Sequence, residues 1–151
     1  MSAEPDPRTL ELYKIAVEMA DRGSARRGTA NAFFLSLQTA VISIATLVDT
    51  KLGDSNWPPY LALSLAGVAI SASWWLQLRS YRELNAAKFA VINRIEKQFP
   101  VRIFTDEWES LTSGPPLPLR KRYAELGAVE MITPIVFAGL FVLLFLAKVA
   151  V

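Results

Sequence analysis

Apolar positions fall into two regimes along this chain. In three stretches they run without a single charge; elsewhere they return every third or fourth residue among acids and bases. The first stretch lies between Arg27 and Asp49, 21 residues reading GTANAFFLSLQTAVISIATLV. The second lies between Asp54 and Arg79, 24 residues reading SNWPPYLALSLAGVAISASWWLQL. The third, between Glu130 and Lys148, has 17 and reads MITPIVFAGLFVLLFLA. A helix needs roughly 20 apolar residues, within about 17 to 25, to cross the hydrocarbon of a bilayer. A helix apolar on every side for this length is seldom needed in a small soluble domain. The pattern predicts transmembrane helices at 29–48, 59–78 and 130–151. Ser, Thr, Gln and Asn dilute the first two, so the third is the strongest. Lys148, near its end, is placed to snorkel.

The segments between the runs read differently. Residues 49–58 are too short for a domain. Gly53, Asp54, Ser55, Asn56 and the Pro58-Pro59 pair are turn formers, which makes this a hairpin tip with a proline in the first turn of the second span. Trp57 and Tyr60 suit a headgroup-level aromatic belt, and Trp74 and Trp75 suit the opposite one. Residues 1–28 predict an amphipathic helix, with Asp6 as N-cap and Pro7 as first helical residue. Leu12, Ile15, Ala16 and Met19 share one face; Glu11, Lys14, Glu18 and Asp21 take the other. That apolar face is expected to pack on a second helix of the same compartment.

The second helix is the continuation of span two into residues 79–129. No Gly or Pro occurs from Arg79 to Phe99, so span and extension form one rod of about 40 residues, which Pro100 ends. Its predicted stripe is Leu84, Ala87, Val91, Ile95 and Phe99, with Arg82, Lys88, Glu96 and Lys97 off it. In RIFTDEWESL, Thr105 is the expected N-cap and Asp106, Glu107 and Glu109 place acid near the helix start. Phe104 and Trp108 pair as a staple across that cap, dock on the rod, or serve a soluble partner. TSGPPLPL reads as a connector, followed by a short helix RKRYAELGAVE that leads into span three. The fold class is all-α: an integral membrane protein with three transmembrane helices, an N-terminal amphipathic helix and a long cytoplasmic extension of the second span.

Charge sets the orientation. Five Lys and Arg precede span one (Arg8, Lys14, Arg22, Arg26, Arg27), one lies in the tip (Lys51), and nine lie between spans two and three. The positive-inside rule puts the N-terminus and the long middle region in the cytoplasm, with the tip and C-terminus outside. No signal peptide is expected, because 27 polar or amphipathic residues precede the first span. The chain of 151 residues is 52% hydrophobic and has neither Cys nor His. Disulfides, thiolate metal sites and the commonest general base are thereby excluded. A formal charge of +2 gives no electrostatic case for nucleic acid. No metal, cofactor or catalytic set is expected, and the acids at 106, 107 and 109 read as helix-start solvation rather than a catalytic pair.

Two polar stripes are the candidate site. In span one, Ser36, Thr39, Ser43, Thr46 and Thr50 recur at spacings of 3 and 4 and share a face. In span two, Ser64, Gly67 and Ser71 form a small-residue stripe of the kind that lets helices approach closely. Both either pack the hairpin, with hydroxyls bonded to backbone carbonyls, or line a wet pathway in an oligomer. Three spans cannot enclose a pore alone, so the second reading requires assembly. Asn31 and Gln38, seven residues apart on another face, are suited to interhelical hydrogen bonds within or between chains. No charge lies mid-span, which argues against a coupled transporter. Arg26, Arg27, Arg79, Arg120, Lys121 and Arg122 are candidate contacts to anionic lipid; a nucleotide signal is the weaker alternative for the basic cluster.

The stretches EMADRGSARRGTANAFFLSL (18–37) and SYRELNAAKFAVINRIEKQFPVRIFTDEWE (80–109) resemble a group of small bacterial integral membrane proteins. The layout is similar to that of SLATT-type membrane effectors of bacterial conflict systems, which pair a membrane hairpin with cytoplasmic helices; the third span departs from a two-span plan. The resemblance implies a non-enzymatic, oligomeric inner-membrane protein that alters membrane permeability under a cytoplasmic signal or partner. The alternative is a membrane-anchored scaffold that docks a soluble partner through its cytoplasmic helices.

Overall fold

The computed structural model describes residues 6–52, 57–112 and 129–150. The predicted turn at 53–56, the Pro-rich connector and most of the short helix after it lie outside the described residues. Among the described residues there are four helices and no strand: α1 (Pro7–Leu52), α2 (Trp57–Glu96), α3 (Ile103–Thr112) and α4 (Ile132–Val149). Helices α1, α2 and α4 are each long and apolar enough to cross a membrane.

The amphipathic stretch and span one are a single helix of 46 residues. No proline interrupts Arg8 to Leu52, and glycine costs a helix interior only about 1 kcal/mol. Asp6 caps the start, its Oδ1 accepting from the Arg8 N–H at 3.2 Å. Both prolines of the Pro58-Pro59 pair stand in the first turn of α2, where their missing N–H leaves no helical bond unmade. Helix α2 then runs unbroken for 40 residues. It ends at Glu96, not at Pro100: a turn follows, with Phe99 N–H donating to the Glu96 carbonyl at 2.9 Å.

Two compact units share these helices. One comprises Met1–Arg26 and Tyr81–Glu125, the other Arg27–Ser80 and Leu126–Val151. The second unit carries the three spans. Its inward face on α2 is Tyr60, Ser64, Gly67, Ser71, Trp74 and Leu78, all buried at alternating spacings of 4 and 3. Helix α1 answers with Asn31, Phe34, Gln38 and Val41 at spacings of 3, 4 and 3, and α4 with Pro134, Phe137 and Phe141. Large apolar residues such as Phe33, Leu47, Leu65 and Leu143 point outward, as a lipid-embedded bundle requires.

In the first unit the inward faces are only partly those that periodicity predicts: Ala16 turns inward and Phe99 packs on Tyr13 at 5.2 Å, but most other members of both stripes do not. Helix α1 turns Tyr13, Ala16, Val17 and Ala20 inward, and leaves Leu12, Ile15 and Met19 exposed. On α2, Ile92 and Glu96 are buried while Leu84, Ala87 and Val91 are exposed. Small residues on α1 allow close approach: Lys88 reaches across Gly23 and donates to the Met19 carbonyl at 2.7 Å. A Cβ at Gly23 would stand 3.2 Å from that ammonium.

Candidate functional site

Every hydroxyl of the span-one stripe is exposed, and every one is already bonded. Ser36, Thr39, Ser43 and Thr46 donate to the carbonyls four residues back (Ala32, Leu35, Thr39 and Ile42) at 2.9 to 3.0 Å, and Thr50 donates to Leu47. Back-bonding of this kind silences the donor and leaves oxygen lone pairs on the surface. The stripe does not pack the hairpin: the contacts between α1 and α2 are made by Asn31, Phe34 and Gln38 instead.

The span-two stripe has the opposite fate. Ser64, Gly67 and Ser71 are all buried. Ser64 Oγ donates to the Phe141 carbonyl of α4 at 2.9 Å. Gly67 lies flat under the Phe141 ring, and a methyl group built there would overlap it. Ser71 Oγ donates to the Gly67 carbonyl at 2.9 Å and accepts from Gln38 Nε2 at 2.6 Å. Gln38 has no exposed surface, and its Oε1 is a buried acceptor with no hydrogen-bond partner. In lipid, apolar area gives little drive for helix association, so such bonds and close contacts carry the packing.

Aromatic rings continue the seam. Trp74 turns into the bundle rather than into a headgroup belt. Its Nε1 donates to Asn31 Oδ1 at 2.8 Å, and its ring stacks on Phe34 at 5.7 Å and leans on Phe137 at 6.2 Å. Asn31 and Gln38 therefore both bond within the chain. Ion pairs close the unit at two levels. Lys148 pairs with Asp49 at 2.5 Å, beside Tyr60, whose hydroxyl donates to the same Oδ1 at 2.8 Å. Arg27 Nε stands 3.4 Å from Glu130 Oε2, an ion pair without hydrogen-bond geometry.

Of the remaining candidate residues, Arg26 and Arg79 are exposed, and Arg79 lies over the Trp75 ring at 5.9 Å. Arg27 is engaged by Glu130. Arg120, Lys121 and Arg122 lie outside the described residues. Phe104 docks on α2, edge to face with Phe89 at 5.5 Å, while Trp108 stays more than half exposed. Helix α3 starts at Ile103, two residues before the expected cap, so Phe104 and Trp108 both stand within the helix and not on either side of its start.

The reason is Glu96, a residue that charge placed on the solvent side of the rod. It is 1% exposed. Its Oε1 accepts from the Phe104 N–H at 2.9 Å and from the Tyr13 hydroxyl at 3.0 Å. Its Oε2 accepts from the Thr105 N–H and hydroxyl at 3.1 and 2.9 Å. A carboxylate from α2 thus caps α3, where both free N–H groups and the helix dipole favour negative charge. Burial alone raises the Glu96 pKa, but the bonds from Phe104, Thr105 and Tyr13 outweigh it and hold the carboxyl below its ordinary range. Burial first, and the bond to Glu96 second, push the Tyr13 hydroxyl up to about 12. No local periodicity signals this node, in which Tyr13 lies 83 positions from Glu96.

The model of the Octameric membrane protein family (8xMP) matches residues 10–150 of this chain. The chain belongs to that family, and is accordingly an oligomeric membrane protein. No curated protein and no solved structure matches it.

Proposed function

We propose that this is a non-enzymatic inner-membrane protein that assembles as a ring, of eight copies as the family's description has it, and alters membrane permeability. The N-terminus and the region between spans two and three face the cytoplasm, as the distribution of Lys and Arg supports. The observation that carries the reading is the outward direction of Ser36, Thr39, Ser43 and Thr46. A polar stripe on the outside of a three-helix bundle faces either lipid, a neighbour or water. Hydroxyls bonded back to their own helix offer lone pairs to water or ions without a fixed charge, which suits a pathway that a ring of copies encloses. A cytoplasmic signal or partner controls it in this reading, as in the effector systems that the layout resembles.

The test is membrane potential after induced expression in bacteria, read with a potential-sensitive dye beside a membrane-fraction blot. Depolarisation is expected with the native chain and is lost with Thr39→Leu plus Ser43→Leu, while insertion is unchanged. Flux retained in that double variant removes the stripe as the pathway. An intact potential with the native protein in the membrane overturns the permeability reading and favours a scaffold.

A further inference from the structure

We infer that, in the assembled protein, the apolar face shared by α1 and α2 in the Met1–Arg26 and Tyr81–Glu125 unit receives α3 of a neighbouring copy. In that unit Leu12 is 61%, Ile15 50% and Met19 54% exposed on α1, and Leu84 and Val91 are similarly exposed on α2. Exposed apolar residues contiguous to this degree mark an interaction surface.

The geometry makes them contiguous. Tyr13 meets Glu96 and Met19 meets Lys88, so the two helices run antiparallel. At 3.6 residues per turn, each exposed stripe sits about 100° from the line of contact, turned in the same sense on both helices. In an antiparallel pair the same sense places both stripes on one side. Phe89, which holds Phe104 of α3, is offset in the other sense. Helix α3 therefore covers the opposite side, and leaves Trp108 52% and Leu111 45% exposed there, three residues apart on one helix face.

Each copy thus has two different apolar faces on opposite sides, the arrangement that a closed ring of heterologous contacts needs. Charge favours the same match. Arg8 and Arg26 extend the α1 stripe at helical spacing, and Arg94 extends that of α2. Helix α3 carries Asp106, Glu107 and Glu109, of which Asp106 and Glu109 pair with Arg102 just ahead of the helix at 3.1 and 3.9 Å, so its end of the unit keeps a net acidic charge. An apolar patch with Arg8, Arg26 and Arg94 at its ends meets an apolar patch of net acidic charge, and each copy offers one of both.

Because the chain has no cysteine, engineered pairs read the contact directly. Full-length protein in membranes carrying Ile15→Cys with Trp108→Cys is oxidised and run under denaturing, non-reducing conditions. A ladder of covalent oligomers is expected, absent from either single variant. A second pair, Leu84→Cys with Leu111→Cys, is expected to give the same ladder. Dimers from Ile15→Cys alone show the face meeting itself and overturn the proposal. Protein that stays oligomeric by native mass spectrometry but gives no ladder with either pair overturns it as well. The inference depends on assembly and not on permeability: a ladder from a protein that leaves the potential intact removes only the functional reading above.

Discussion

Two stripes of small polar residues, one per span, have nearly the same sequence signature and opposite structural roles. On α2, Ser64, Gly67 and Ser71 form the seam of the bundle, and the absence of side-chain bulk at Gly67 matters as much as the hydroxyls beside it. On α1, Ser36, Thr39, Ser43 and Thr46 face outward, with each proton returned to the helix that bears it. The difference lies in what stands opposite. The α2 stripe meets Gln38 and Phe141, which fill the space that small residues leave; the α1 stripe is exposed among the described residues. A recurring Ser/Thr pattern in a span thus names a face, and the partner decides whether that face is structural.

Substitution can break this contrast, and the largest effect is expected at Gly67. Gly67→Leu forces a branched side chain into the Phe141 ring and is expected to destabilise the three-span unit by about 3 kcal/mol, the upper end of overpacking costs. Thermal unfolding followed by Trp fluorescence in detergent reads it. A change of under 0.5 kcal/mol there would remove the seam as the organising contact.

Next comes a polar group buried outside the spans. Glu96→Ala leaves the Phe104 and Thr105 N–H groups and the Tyr13 hydroxyl without their acceptor, and is expected to cost about 2 kcal/mol. Amide exchange should accelerate in α3 and leave the spans unchanged. The same node gives a pH window. Glu96 titrates below its unfolded value, so its stabilisation is present above the ordinary Glu pKa of about 4.3 and is lost as pH falls through the lower folded value. Tyr13 works in the other direction: raised to about 12, it stabilises fully below about 10 and the effect is lost as pH rises through 12. Exchange protection of α3 should therefore fall at both extremes and hold between them.

Gln38→Met keeps the volume and removes the bonds to Ser71 and Gly67. An interhelical hydrogen bond in a membrane is worth about 0.6 kcal/mol, and the orphaned Oε1 disappears with it, so a loss of under about 1 kcal/mol is expected. The smallest effect belongs to the outward stripe. Thr39→Val and Thr46→Val are expected to shift monomer stability by less than about 0.5 kcal/mol. A large loss at either would mean that the stripe holds the bundle after all.

Three helical spans were legible in the sequence, because charge-free runs of that length have few other uses. The unbroken rod was legible from the lack of Gly and Pro. The direction of each face was not. On α1 outside the spans, two stripes compete: Leu12, Ile15 and Met19 are more apolar, but Ala16, Val17 and Ala20 are smaller and allow closer approach, and Tyr13 beside them reaches Glu96 and Phe99. Periodicity scores the first; close packing chooses the second, and the larger side chains remain outside. On α2 the same rule is sharpened by Glu96. A charge predicts a solvated position, yet four polar groups from α1 and α3 converge on it. The bond from Tyr13 spans 83 positions, and those from Phe104 and Thr105 cross a helix end at no regular helical spacing, so periodicity does not register them. For the candidate site, the α2 stripe and the pairing of Asn31 and Gln38 could be proposed from spacing and polarity alone; the outward turn of the α1 stripe could not.

The two ion pairs of the spanning unit also fix a length. Glu130 and Lys148 are 18 positions apart, about 27 Å of helix. Their partners on α1 are Arg27 and Asp49. Between these levels neither α1 nor α4 carries a charge, and the uncharged depth is close to the hydrocarbon depth of an ordinary bilayer of about 30 Å. A thicker membrane must thin locally or draw charge into lipid, at a fraction of a kcal/mol per Å. Each copy in the oligomer adds its own share of that cost. The spacing of the charged levels therefore sets the bilayer thickness that the protein fits at least cost.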